Sequence, residues 1–275
     1  MIPNGVHRDY LEIDDVANVR DLPGDFDAVP ISSYSAQVTE SWTLADRFAL
    51  ADVIVVLRGL HVAAGPEEAL RPADSIVIGE GEPVWPQLIR DLLQRRLRST
   101  YDSTVTPFNP GSSPMPLFDM LDTERYNRLT VQTQRGCPFD REFCAASIRL
   151  SPIFRTKAVD RVVTEIRHIE EIWPTRFIES ADDNTVANKK RTKELLRAQI
   201  PEDIRWFRES DISLAPRRES VSGACICRLA ISCSLAACRS QGIQGRCCGA
   251  ETEGFSACDD VEIVALLIDC SPCSC

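Results

Sequence analysis

Two short apolar runs, "DVIVVLRG" at residues 52–59 and "ADSIVIGEGE" at 73–82, constrain this chain more than anything else in it. Each is short, rich in Val and Ile, and bounded by turn residues, which marks a strand buried on both faces. Such strands need helices beside them. "ESWTLADRFAL" precedes the first run and "VWPQLIRDLLQRRL" follows the second, and both carry the amphipathic pattern of a helix. "DAVPISSY" reads as a shorter strand ahead of them, interrupted by Pro30, a residue poorly tolerated inside a central strand. The rhythm is that of an open α/β sheet, whose ligands sit beyond the carboxyl ends of its strands. The turns "RGLHVAAGPEEA" and "IGEGE" hold that position, which makes His61, Gly79, Glu80 and Gly81 candidate binding residues. Taken alone, His61 is more often a structural loop histidine, and "GEGE" an ordinary glycine turn.

Residues 102–118, "DSTVTPFNPGSSPMPLF", are rich in Pro, Ser and Gly and read as a linker. A second βα series follows: a strand over Asn127–Thr133, a loop with two cysteines, a helix over Lys157–Ile172 and a strand over Arg176–Glu179. The polar loop "SADDNTVAN" then leads to a helix over Lys189–Ala198 and a strand over Arg205–Ser210. After about Leu214 no period of 2 or 3.6 is sustained, and only "VEIVALLID" has the make-up of a strand.

The formal net charge of −10 argues against a nucleic-acid partner, since no basic cluster is available to neutralise phosphates. No apolar run approaches a membrane span, and "MIPNGVHRDYLEIDD" lacks the regions of a signal peptide, so the expected location is cytoplasmic. Of the 12 cysteines, ten fall between Cys225 and Cys275. A reducing compartment disfavours disulfides, which leaves Cys137 and Cys144 as ligands or plain thiols.

The loop "RGCPFDREFCAAS" gives those two a context. Residues 114–213, with this loop after their first strand, resemble the first half of a radical S-adenosylmethionine (SAM) enzyme, a family that uses C-x3-C-x2-C at this place. The preceding "GLHVAAGPEEALRPADSIVIGEGEPVWPQLIRDL" resembles the cobalamin (B12)-binding domain that precedes the radical SAM barrel in one large subgroup. The resemblance implies an α/β fold in parts: a lead-in at 1–26, a partial Rossmann-like cobalamin-binding domain at 27–101, and the linker. The N-terminal half of a radical SAM (βα) partial TIM barrel follows at 119–214, then an irregular Cys-rich tail at 215–275, expected to be poorly ordered.

By the same resemblance, Cys137 and Cys144 ligate a [4Fe–4S] cluster and Phe143 packs near the adenine of SAM. Glu179, Asp182 and Asp183 lie toward its methionyl end, where an ammonium needs oxygen acceptors. The two aspartates equally suit a capping role for the next helix. The implied chemistry is reductive cleavage of SAM to a 5′-deoxyadenosyl radical, with a reducing electron donor and an unidentified small-molecule substrate.

The departures are specific. Arg141 stands where the middle cluster cysteine belongs, and a guanidinium has no lone pair to give. The D-x-H-x-x-G cobalamin motif is absent, and Arg58 stands where the subgroup usually has Gly. The Cys/Arg/Ser-rich tail has the look of an out-of-frame reading. Two other readings stay open: a non-catalytic binding protein, and a zinc protein using tail cysteines such as Cys270 and Cys273.

Overall fold

The computed structural model describes residues 6–106, 108–139, 153–174, 177–182, 184–202, 204–210, 229–233 and 263–269. These form two compact units, one from residues up to Phe108 with the strand Ile263–Asp269, the other from the described residues between Asn109 and Cys233.

In chain order the first unit holds β1 (His7–Ile13), β2 (Ala28–Ser32), α1 (Val38–Leu50), β3 (Ile54–Arg58) and two short helices, α2 (Leu60–Ala64) and α3 (Pro66–Ala69). β4 (Ser75–Ile78), α4 (Gly81–Leu93) and β5 (Thr100–Asp102) follow. The strands from β2 to β5 lie side by side in sequence order and are parallel, as the two apolar runs require. Alternate residues feed opposite faces. Val29, Ile31, Val55, Leu57 and Ile76 pack with Leu44, Ala45 and Phe48 of α1. Ala28, Val56 and Val77 pack with Leu88, Ile89 and Leu92 of α4. Each large side chain fully buried there contributes about 1.5–3 kcal/mol, which is why helices on both faces are needed to hold so apolar a sheet.

The strand read in "VEIVALLID" forms as Ile263–Asp269, but its place in this sheet and the strand β1 are outside the sequence expectation. β1 forms within the lead-in, and the strand Ile263–Asp269 lies between β1 and β2, antiparallel to both. Pro30 sits inside β2 after all, opposite Val56. The backbone N–H of Ile54 donates to Asp27 O, so residues 27, 29 and 31 of this segment bond to β3 while Pro30 faces the other way. The missing N–H of proline therefore costs the parallel ladder nothing.

The second unit holds β6 (Arg128–Val131), β7 (Gln134–Arg135), β8 (Arg155–Thr156), α5 (Val159–Ile172), β9 (Phe177–Ser180), α6 (Lys189–Gln199), β10 (Arg205–Ser210) and β11 (Leu229–Cys233). The order β11-β10-β9-β6 is parallel throughout, and β7 pairs antiparallel with β8 as a separate two-stranded ribbon. Leu129, Val131 and Ile178 turn one face toward Val162, Ile166 and Ile169 of α5 and Leu195 of α6. Helix α5 ends where the Trp173 N–H donates to Ile169 O, one residue before Pro174. Asn188 caps α6 by accepting from the Arg191 N–H.

Candidate functional site

The carboxyl ends of β6 and β9 meet at Asp182, which is 4% exposed. Its Oδ1 accepts the backbone N–H groups of Thr133 at 2.8 Å and Gln134 at 3.0 Å. Its Oδ2 accepts the hydroxyls of Ser180 at 2.5 Å, Thr133 at 2.6 Å and Thr185 at 3.2 Å. Five donors fill the carboxylate, so Asp182 ties the start of the cysteine loop to the end of the neighbouring strand. It does not cap α6, a task that belongs to Asn188. Gln134 adds a second tie through its side-chain amide, which donates to Asn184 O.

The cysteine loop leaves this latch through Gly136, whose φ of 78° lies in the region that glycine favours. Cys137 follows as a free, buried thiol. The loop returns through β8, where Gln134 pairs with Thr156 and Arg135 with Arg155, and the Lys157 N–H donates to Thr133 O at 2.9 Å. Arg141, Phe143, Cys144 and Asp183 lie outside the described residues, as do the tail cysteines Cys270 and Cys273. Among the described residues no three His, Cys, Asp or Glu side chains gather as a metal site. The donor set at 137, 141 and 144 is two thiols and a guanidinium, which does not fit a cluster held by three thiolates.

Glu179 stands apart from Asp182 by alternation along β9. Ile178 and Ser180 are buried, whereas the Glu179 side chain is 23% exposed and its Oε2 accepts from Arg128 Nε at 2.5 Å. On the buried face, sequence reasoning gave no hint of Arg208. It pairs with Ser180 in register, is 5% exposed, donates through Nη2 to Gln199 Oε1 and stacks over Trp206 at 3.9 Å. Its Nε and Nη1 find no acceptor among the described residues. Burial pushes the guanidinium down to about 10, against the pull of the Asp182 charge and with a further push from Arg191.

Beside the latch, Lys157 and Glu165 form an ion pair at 2.7 Å with side chains 5% and 1% exposed. Arg191 Nη2 donates to the Lys157 carbonyl, joining α6 to the turn that starts α5. An open groove of about 810 Å³ lies against this turn, lined by Asn109, Ser112, Lys157, Asp160, Arg191 and Glu194 among others. Its charges are mixed, two cationic side chains against two anionic ones.

In the first unit the expected binding loops do lie at the carboxyl ends of β3 and β4. Gly59 has φ 121° and an added Cβ would come 2.4 Å from Ser33 O, so only glycine fits. Gly79 has φ 80°, and an added Cβ there would come 2.7 Å from Ser103 Oγ, which donates to Glu80 O at 2.6 Å and lies 3.1 Å from Ile78 O. Gly81, the first residue of α4, is covered by the Arg58 guanidinium, 3.6 Å from where a Cβ would stand. A Cβ at Gly59 or Gly79 would therefore run into the chain's own atoms, whereas one at Gly81 would stand in ordinary contact with the Arg58 guanidinium. His61 Nε2 lies 3.7 Å from Glu68 Oε2, edge-on to Trp42 at 6.0 Å between ring centroids. Its Nε2 is buried and makes no hydrogen bond among the described residues.

No protein-family model matches the chain. Curated relatives do. A bacteriochlorophyllide d C-8(2)-methyltransferase of Chlorobaculum tepidum is 34% identical over 127 residues, 44% of this chain and 28% of that protein. An uncharacterized methyltransferase of Pyrococcus horikoshii is 29% identical over 215 residues, 69% of this chain and 47% of its own length. The chain therefore spans less than half of each of these relatives. Among solved structures, the radical SAM methyltransferase TsrM of Kitasatospora setae, solved with cobalamin and a [4Fe–4S] cluster bound, superposes with a TM-score of 0.51 at 15% identity. That match covers 64% of this chain and 40% of TsrM, and at this identity it speaks for the fold. The chain thus shares sequence with parts of these methyltransferases and the fold of part of a radical SAM methyltransferase.

Proposed function

We propose that the chain is a cobalamin-type radical SAM methyltransferase by descent whose loop, with Arg141 between Cys137 and Cys144, does not assemble a [4Fe–4S] cluster as it stands. The observation that carries the reading is the anchored loop. A cysteine loop leaves the carboxyl end of the first parallel strand of its unit, and a saturated buried carboxylate from the next strand pins its start. The methyltransferase relatives supply the reaction class.

Within this reading the two carboxylates of β9 and its following loop divide the work. Asp182 positions the loop and has no oxygen to spare. Glu179 stays accessible beside Arg128 and is the acceptor for the ammonium of SAM. A bound cluster would supply the electron that cleaves SAM, and position 141 withholds the thiolate that such a cluster needs. The experiment is anaerobic reconstitution with iron and sulfide of the unaltered chain and of Arg141→Cys. The expected result is visible thiolate-to-iron absorbance in Arg141→Cys alone. A cluster of equal yield in the unaltered chain refutes the proposed impairment, and no cluster in either refutes the loop as a latent ligand set.

A further inference from the structure

The strand Ile263–Asp269 differs from every other member of its sheet. It runs antiparallel to both neighbours, whereas β2 to β5 are parallel. It comes from the opposite end of the sequence, and among the described residues it alone joins β1 to the rest of the sheet. With β1 it pairs residue for residue, from His7 opposite Asp269 to Ile13 opposite Ile263. With β2 it pairs only at Ala28, Ile31 and Ser32, a register that passes over Pro30. The proline lies on that side because its alternate neighbours are spent on β3. Proline in sheets is confined to edges that have no N–H to offer, so β2 carries the mark of an edge strand on the side where the distant segment has been added.

We propose that this outer edge of β2 is a strand-acceptor site, filled in this chain by its own Ile263–Asp269 and open to the same segment from a second copy in exchange. Extended segments join sheet edges through main-chain hydrogen bonds, and an identical chain offers the identical register. Exchange of one element between copies makes a dimer with no new contact to evolve. The inference concerns the first unit alone and holds whether or not the cysteine loop takes a cluster.

The test uses the full chain with Ala265→Pro and Leu266→Pro, two consecutive prolines that remove N–H groups on both sides of the added strand. The unaltered chain is expected to show a dimer fraction that rises with concentration in light scattering, and the double variant to stay monomeric. A labelled peptide of residues 261–270, standing for the second copy's segment, is expected to bind the double variant one to one. Its binding to the unaltered chain, where the site is already filled, is expected to be about tenfold weaker. A peptide carrying the two prolines is expected not to bind. Hydrogen exchange gives a separate reading: the amides of β1 lose protection in the double variant while those of β3 keep it. Equal dimerisation of both chains, peptide binding that ignores the prolines, no peptide binding at all, or unchanged β1 protection each overturns the inference.

Discussion

Replacing Asp182 by Ala strands five donors at once, and two of them cannot turn away. The N–H groups of Thr133 and Gln134 point at Oδ1 from a fixed backbone, 2.8 and 3.0 Å distant. Each buried donor left without a partner costs about 1–3 kcal/mol, so those two alone set a loss of roughly 2–6 kcal/mol. The three hydroxyls can partly serve one another, as the 3.4 Å approach of Thr185 Oγ1 to Ser180 Oγ already indicates, and they add less. Asp182→Asn separates charge from shape. Its amide oxygen still accepts the two N–H groups, and the hydroxyls can reverse to accept from the amide nitrogen, so the expected loss is about 1–2 kcal/mol. Urea unfolding of the three proteins measures both numbers from the shift in midpoint. If the Ala and Asn variants lose the same stability, the backbone donors are not what the carboxylate holds. If Ala costs under about 1 kcal/mol, the latch is not a latch.

Three more outcomes follow from buried charges. Asp91 on α4 accepts from Gln87 at 2.6 Å and Tyr101 Oη at 2.9 Å, and lies 3.3 Å from Arg98 and 3.7 Å from Arg96. Burial opposes its ionisation, but the hydrogen bonds from Tyr101 and Gln87 and the charges of Arg98 and Arg96 outweigh it and hold the carboxyl below its usual range. The stability it contributes is present above the unfolded carboxylate value of about 4 and is lost as pH falls through the lower folded value. Urea midpoints from pH 5 downward should therefore fall more steeply for the native chain than for Asp91→Asn. Arg208→Met removes a desolvated cation while keeping most of its bulk, and the thermal midpoint should stay level or rise, by the equivalent of about 1–3 kcal/mol. Lys157→Met and Glu165→Leu should each cost about 3–5 kcal/mol singly by leaving a buried charge alone, while the double variant recovers most of the loss.

The elements legible in the sequence were those with a local signature. β3 and β4 announce themselves by apolar runs, α1, α4 and α5 by their period, and their ends match to within a few residues. β5 is three residues long, too short for any pattern to rise above its surroundings. β1 was hidden for another reason, since its partner among the described strands is more than two hundred positions away and nothing in "HRDYLEI" can name it. Pro30 argued against its own strand because sequence does not say which edge of a strand a residue faces. At the site, nothing local to Asp182 shows that the backbone N–H groups of Thr133 and Gln134, nearly fifty positions earlier, donate to its carboxylate. Arg208 reads as an exposed strand residue until its register with Ser180 shows it turned inward.

The cysteine loop is held at both ends by contacts that ignore what it carries. Its start is fixed through Thr133 and Gln134, its return through Arg155, Thr156 and the Lys157 N–H. None of these ties uses a cysteine, so whatever befalls the thiols leaves the mount intact. Selection could then discard the metal chemistry without first dismantling the scaffold, and a protein engineer inherits the same freedom. The ties at Thr133, Gln134 and Arg155 to Lys157 are the mount that a replacement binding loop would have to keep.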